Sequence, residues 1–229
     1  MHKKKQFLKL DKKYSTYQDA GTIGAMMQIC HNKLEDNKYL KKLKKNCNVL
    51  EIGAGSSPHL KYVKHEVGKY FFLENSKFAI DFLKKKFDDK KKIRFKSYNG
   101  KKIPFKNNYF DRIIISHVLE HIADPEIFLE EMMTKLKKNG ILSIALPCDP
   151  GLMWRWGRLY LKLFSVKKKL NISNLEYDYM IASEHINSIF NLISIIKYKY
   201  KNNIISEQYL PFRVRIVDFN LFYNVTIKK

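Results

Sequence analysis

Five short apolar runs recur between Cys47 and Pro147, and amphipathic stretches separate most of them. They read CNVLEI (47–52), KYFFLE (69–74), KIRFKSY (92–98), YFDRIIIS (109–116) and ILSIALP (141–147). A run as continuously apolar as the fourth suits a strand covered on both faces, as parallel sheets require. Strands alternating with helices imply a parallel sheet with right-handed crossovers. Helices are expected over Asp19–Asn46, with Ile23, Met26, Met27, Cys30 and Leu34 on one stripe, and over PHLKYVKHEV, with Pro58 at its first position and Gly68 at its end. Further helices are expected over Ser76–Phe87, over DPEIFLEEMMTKLKKNG between an Asp124 N-cap and a Gly140 stop, and over EHINSIFNLISIIKYKYK. Two extended stretches then follow with no helix between them. In the last, Phe219, Leu221, Tyr223, Val225 and Ile227 alternate with Asn220, Phe222, Asn224 and Thr226, which marks a strand with unlike faces, antiparallel to its predecessor.

The 229 residues suffice for one well-buried domain. No run of about 18 uncharged apolar residues offers a membrane span, and the basic start lacks the apolar stretch of a signal peptide. Cys30, Cys47 and Cys148 are odd in number and far apart, which argues against a disulfide framework and fits a cytoplasmic protein. The net charge of +22 invites nucleic acid or anionic membrane as partner. Yet the lysines recur in almost every segment, and arginine, the better fork for phosphate, is scarce. Specific nucleic-acid binding does not follow from charge alone.

The stretch NVLEIGAGSSPHL (48–60) carries the chemistry. Gly53 and Gly55 allow a tight turn and close approach of a ligand to the backbone at the carboxyl edge of the sheet. Proline replaces the third glycine of a dinucleotide motif, and Glu51 would repel a pyrophosphate while helping to hold a cation. Glu74 ends the second run, where an acid can accept from both ribose hydroxyls. A ligand with a ribose, a positive charge and no phosphate satisfies all three; S-adenosylmethionine is such a molecule.

With VLEIGAGSS, FFLENS and the stretch from KKIPFKNNYF to ILSIALP, the chain resembles class I S-adenosylmethionine-dependent methyltransferases, in the type 11 group typified by ubiquinone and menaquinone biosynthesis enzymes. The resemblance implies an α/β, Rossmann-like, seven-stranded, mostly parallel sheet with a C-terminal antiparallel hairpin and helices on both faces. It implies an N-terminal helical cap (1–45) and a methyltransferase domain (46–229) with an acceptor lid inserted at about 150–180. It implies Glu51, Gly53, Ala54 and Gly55 around the methionine part of the cofactor, Glu74 on the ribose and Asn75 beside the adenine. Asn99, followed by Gly100, stands where an aspartate usually meets the adenine amino group. Ser116 and His117 fall where family members line the methionine and the transferable methyl. Ser57 replaces the last glycine of the G-x-G-x-G form.

HVLEH (117–121) also matches an inverted zinc-protease motif, but that motif needs one continuous helix, and no metal is expected. The D/N/S-P-P-Y/F stretch of base and amino-group methylation is missing after the fourth run, and Pro147-Cys148 follows the fifth run, out of place for a nucleophile. The segment after the fifth run carries Trp154, Arg155, Trp156, Arg158 and Tyr160. It suits an acceptor lid, a basic amphipathic helix with Trp anchors on an anionic membrane, or a plain core helix. Trp154, Arg155, Arg158 and Tyr160 are the acceptor candidates. A general base is needed only for a hydroxyl or acidic carbon; His117 is the first candidate and His185 the second, with Tyr14, Tyr17 and His31 behind them. The acceptor is read as a small molecule, saccharide or lipid-linked intermediate, as in bacterial cell-surface or quinone pathways. An RNA methyltransferase and a non-catalytic cofactor-binding module are the alternatives.

Overall fold

The strand tips carry the site, so their order decides its layout. The computed structural model describes residues 21–55, 59–87, 91–100, 102–164 and 171–229, with residues 21–23 as backbone only. Tyr14, Tyr17, Ser57, Pro58 and residues 1–20 of the expected cap lie outside the described residues. Seven strands form one sheet: β1 (Cys47–Ile52), β2 (Val67–Glu74), β3 (Ile93–Ser97), β4 (Phe110–Ser116), β5 (Leu136–Pro147), β6 (Ile204–Leu210) and β7 (Phe222–Lys228), in the order β3-β2-β1-β4-β5-β7-β6. β1 to β5 pair in parallel, and β7 runs antiparallel between β5 and β6. The helices are α1 (Gly21–Glu35), α2 (Lys77–Phe87), α3 (Pro125–Lys135), α4 (Leu152–Leu161), α5 (Asn174–Glu184) and α6 (Ile189–Tyr200).

The period-two alternation of the strands sorts the core into two halves. Leu50, Ile52, Ile113, Ile115, Leu142 and Ile144 pack with Leu129 and Met132 of α3 and Leu192 and Ile196 of α6. Val49, Tyr70, Phe72 and Ile114 pack with Cys30 and Leu34 of α1 and Leu83 and Phe87 of α2. Helices therefore cover both faces of the sheet. The polar face of β7 is buried as well, because α1 lies over it. Asn224 donates to the Cys30 carbonyl at 2.8 Å, and the Cys30 thiol donates back to the Asn224 side chain at 3.2 Å. An amide that reads as solvent-facing is thus an anchor for α1.

Four expected elements differ, the first being the N-terminal helix, which stops at Glu35 and not at Asn46. No long helix follows β1; a 3-10 turn over His59–Tyr62 replaces it, and β2 starts at Val67. Gly68 lies inside that strand, where a built Cβ would meet the Asn46 carbonyl oxygen at 2.5 Å. The helix at 125 stops at Lys135, since Leu136 already pairs with Phe110 while Ile141 pairs with Arg112. The residues between bulge out, so Gly140 lies in a strand and stops no helix. Asp124 occupies the N-cap but makes no capping hydrogen bond. Finally, Phe219, Asn220 and Leu221 precede β7.

Candidate active site

β1 and β4 are neighbours, and the chain leaves them toward opposite sides of the sheet; ligands of open α/β sheets bind outside such a switch point. Gly53 leaves β1 at φ +68°, donates to the Leu73 carbonyl at 3.0 Å, and lies so close to Val118 that a built Cβ would stand 2.5 Å from a methyl group. Gly55, at φ +53°, has nothing among the described residues within 4 Å of where its Cβ would be. Glu74, at the tip of β2, is buried and accepts from the Gly55 N–H at 2.7 Å. Burial raises its carboxyl to about 7 despite backbone bonds from Gly55 and Ala54. Glu51 is also buried and raised to about 7 by burial. Both its oxygens are engaged, one by the His59 N–H at 2.6 Å and one by the Tyr70 hydroxyl at 2.5 Å. Ala54 is buried between them. Asn75, Asn99 and Gly100 are exposed at the tips beyond β2 and β3. Asn99 borders an open groove with Tyr98, Ile103 and Phe105.

The other wall begins where β4 ends. Ser116 is followed by His117 in the left-handed region, φ +55°, a costly conformation for a non-glycine residue. The His117 ring meets Phe222 edge-on at 5.5 Å and His31 of α1 at 6.3 Å. Burial, then His185 and His121, lower His117 to about 3, so the ring is neutral. Trp154 of α4 lies against Phe222 at 6.1 Å and His185 at 6.4 Å. His185 caps α5 and faces Asp149 at 2.8 Å, and Asp149 also holds Arg158 at 3.0 Å. Around this space Ser116 Oγ, His117 Nε2, His31 Nε2, Glu120 Oε2 and Trp154 Nε1 are buried with no hydrogen-bond partner among the described residues. Buried polar atoms are normally paired, so this concentration marks a place built to receive a polar ligand.

The structure splits the α4 residues. Trp154 and Arg158 turn toward this space, whereas Arg155, Trp156 and Tyr160 are exposed, and α4 has no fully buried side chain. It is therefore no core helix. Cys148 is buried, its thiol pushed up to about 12 by burial.

The HVLEH residues do not share a helix: His117 ends the β4 segment and Leu119–His121 is a 3-10 turn. Glu120, His121 and His185 nonetheless bring ligand-type atoms within 4.8 Å of one another. His121 Nδ1 donates to the Glu184 carbonyl at 2.8 Å, and His185 Nδ1 is engaged by Asp149. In its neutral form each ring would keep its lone pair on Nε2, an arrangement able to hold a divalent cation beside the Glu120 carboxylate.

Sequence reasoning missed a second set beneath the site. Arg112 of β4 is fully buried and donates to Glu35 at 2.5 Å and to Ser143 at 3.1 Å. His59 Nε2 lies 2.7 Å from the same Glu35 oxygen, and His59 Nδ1 lies 2.7 Å from His31 Nδ1. Burial opposes a charge on Glu35, but the Arg112 guanidinium and His59 hold its carboxyl well below the usual range. An arginine inside a strand-forming run was the available signal, since a buried guanidinium needs a buried acid.

A family model described as "Methyltransferase domain" matches residues 50–144. No curated protein matches the chain. Among solved structures, a SAM-dependent methyltransferase from Aquifex aeolicus superposes with TM-score 0.53 at 18% identity, covering 86% of this chain and 96% of that one. The N-methyltransferase NodS from Bradyrhizobium japonicum gives TM-score 0.59 at 12% identity, over 90% and 97%. The trans-methyltransferase CalH, in complex with SAH, gives TM-score 0.53 at 16% identity, over 86% of this chain and 57% of that one. At these identities the likeness is one of fold.

Proposed function

We propose that this class I, S-adenosylmethionine-dependent methyltransferase of the type 11 group methylates a lipid-linked acceptor drawn in under α4 at a membrane surface. The observation that carries this reading is the split of α4. Its inner side gives Trp154 and Arg158 to the space lined by unpaired polar atoms. Its outer side leaves Trp156 60% exposed, together with Leu159, Tyr160, Leu163 and Phe164. The exposed Arg155 flanks these residues, as on a helix lying on anionic lipid, while Lys162 is paired with Asp178. Among the described residues no helix is long and apolar enough to cross a membrane. Association is therefore read as peripheral, and α4 as part of the lid.

The residues present fit the cofactor. Among the described residues the turn at Gly55 leaves open space beside the backbone, Glu74 offers an oxygen beyond the one given to Gly55, and Ser116 Oγ and His117 Nε2 await partners. In this reading Gly53, Ala54 and Gly55 cradle the methionine end, Glu74 takes the ribose, and Asn75, Asn99 and Gly100 flank the adenine. Glu51 acts through the loop it ties to Tyr70 and His59. The bound cofactor supplies a methyl group already activated on a sulfonium. The chain's task is then alignment of acceptor and methyl in line.

Glu74→Ala is expected to weaken S-adenosylmethionine binding by about 1–3 kcal/mol in calorimetry, the cost of unpaired hydroxyls. Ribose hydroxyls donate to the ionised carboxylate, which is raised to about 7 in the free protein. Wild-type affinity should therefore fall as pH drops below 7, and Glu74→Gln should lose that component. Unchanged affinity in both variants removes the ribose assignment.

Labelled methyl transfer into separated lipid, saccharide and RNA fractions tests the acceptor; label confined to RNA defeats the reading. Trp156→Glu should abolish flotation with phosphatidylglycerol vesicles and leave cofactor affinity intact. Continued flotation would sever the helix from the membrane.

A further inference from the structure

We propose that His31 is the general base of this site, acting on an acceptor hydroxyl, with its free lone pair set by the buried file Arg112–Glu35–His59–His31. This rests on the reading that an acceptor is methylated beside Trp154, and it adds the chemistry of the attacking group.

The file leaves one arrangement of protons. Arg112 can only donate, and its donation to Glu35 at 2.5 Å keeps that buried carboxylate ionised. An ionised carboxylate can only accept, so His59 Nε2, 2.7 Å away, carries a proton. Neutral His59 then has its lone pair on Nδ1. His31 Nδ1 lies 2.7 Å from it and must be the donor. The remaining lone pair of neutral His31 is therefore on Nε2. That atom is buried without a partner among the described residues, in a ring stacked on Tyr62 at 4.9 Å and edge-on to His117. Burial first, then His59, His117 and Lys61, hold His31 far below the usual histidine range, which keeps the ring neutral.

His117 and His185 each lack part of this geometry. Glu120 is 3.7 Å from His117 Nδ1, beyond hydrogen-bond reach, so no hydrogen bond among the described residues sets the His117 tautomer. His185 has its orienting carboxylate, Asp149, but also belongs to the cluster with Glu120 and His121. Among the described histidines only His31 combines a tautomer fixed by a buried file with a buried, unpaired Nε2, and its compensating carboxylate lies two hydrogen bonds away. In the transfer, the acceptor oxygen bonds to the methyl carbon and the carbon–sulfur electron pair leaves with sulfur. The hydroxyl proton passes to His31 Nε2, and the cation so formed is offset by Glu35 through His59. Proton release to water resets the ring. His31 is the catalytic residue; His59 and Glu35 position it.

Long-range proton–nitrogen NMR of protein labelled with 15N-histidine reads this directly. At pH 7 His31 should be neutral with its proton on Nδ1, and His59→Gln should mix the two His31 tautomers. His31→Gln should keep S-adenosylmethionine affinity and lower methyl transfer into the fraction labelled by wild type about 100-fold. Imidazole should partly restore His31→Ala. A His31 protonated on Nε2 at pH 7, or full transfer by His31→Gln, overturns the proposal. If wild type labels no fraction, the acceptor reading falls by itself, and the NMR tautomer decides whether the file is assembled as described.

Discussion

Arg112→Leu is expected to lower the free energy of unfolding by about 3–5 kcal/mol, measured by urea denaturation at pH 7. The loss is far above a surface ion pair because, among the described residues, Arg112 is the cationic side chain paired with Glu35, and His59 and the Lys64 N–H offer it hydrogen bonds only. Arg112 is wholly buried and Glu35 3% exposed, and the leucine would leave a carboxylate in apolar surroundings. The double variant Arg112→Leu/Glu35→Leu removes both charges and should recover much of the deficit, although it strands the hydrogen bonds to His59 and Ser143. The pH dependence has a definite sign. In the parent, the folded Glu35 carboxyl lies below its unfolded value of 4.5, so its contribution is present above that value and lost as pH falls through the folded one. In Arg112→Leu, burial acts without the guanidinium and raises the carboxyl, so the gap between variant and parent should narrow in acid. A loss under about 1 kcal/mol, or a double variant no better than the single, would show that the buried pair holds little of the fold together.

The mostly parallel sheet was legible because apolar runs alternate with helices, and β7 announced itself by its period of two. The helix expected after β1 was not, because PHLKYVKHEV fits a helical stripe while its end competes as strand. Val67 pairs with Cys47, and the missing side chain of Gly68 lets β2 pass close to Asn46. Likewise the Leu136–Phe110 pairing takes KLKKNG from the helix, a choice made by a neighbour 26 residues earlier. The glycine turn and Glu74 could be found locally. Glu35 and Arg112 are 77 residues apart and His31 and His59 are 28 apart, so their file exists only once α1 lies on the sheet. The lone arginine in YFDRIIIS asked for an acid but could not say which one.

Two alanine variants in the turn should separate its two duties. Gly53→Ala is expected to damage both folding and cofactor binding, whereas Gly55→Ala should damage binding far more than folding. Both positions have positive φ, so each alanine bears about 1–2 kcal/mol of left-handed strain. Only at Gly53 does the new methyl also collide, at 2.5 Å from Val118, whose backbone continues into the His117 wall. Relief there pushes the two sides of the crevice apart, and S-adenosylmethionine affinity should drop at least tenfold. Val118→Ala added to Gly53→Ala clears the methyl group and should return part of the affinity, leaving the φ strain behind. At Gly55 the new Cβ meets nothing within 4 Å among the described residues, so stability should fall by the strain alone. Its methyl instead enters the open space assigned to the cofactor, and affinity should fall as far as in Gly53→Ala. Calorimetry and urea denaturation of the three variants make the comparison. If Gly55→Ala binds S-adenosylmethionine like wild type, the cofactor does not sit against this turn, and the glycines serve the chain's path alone.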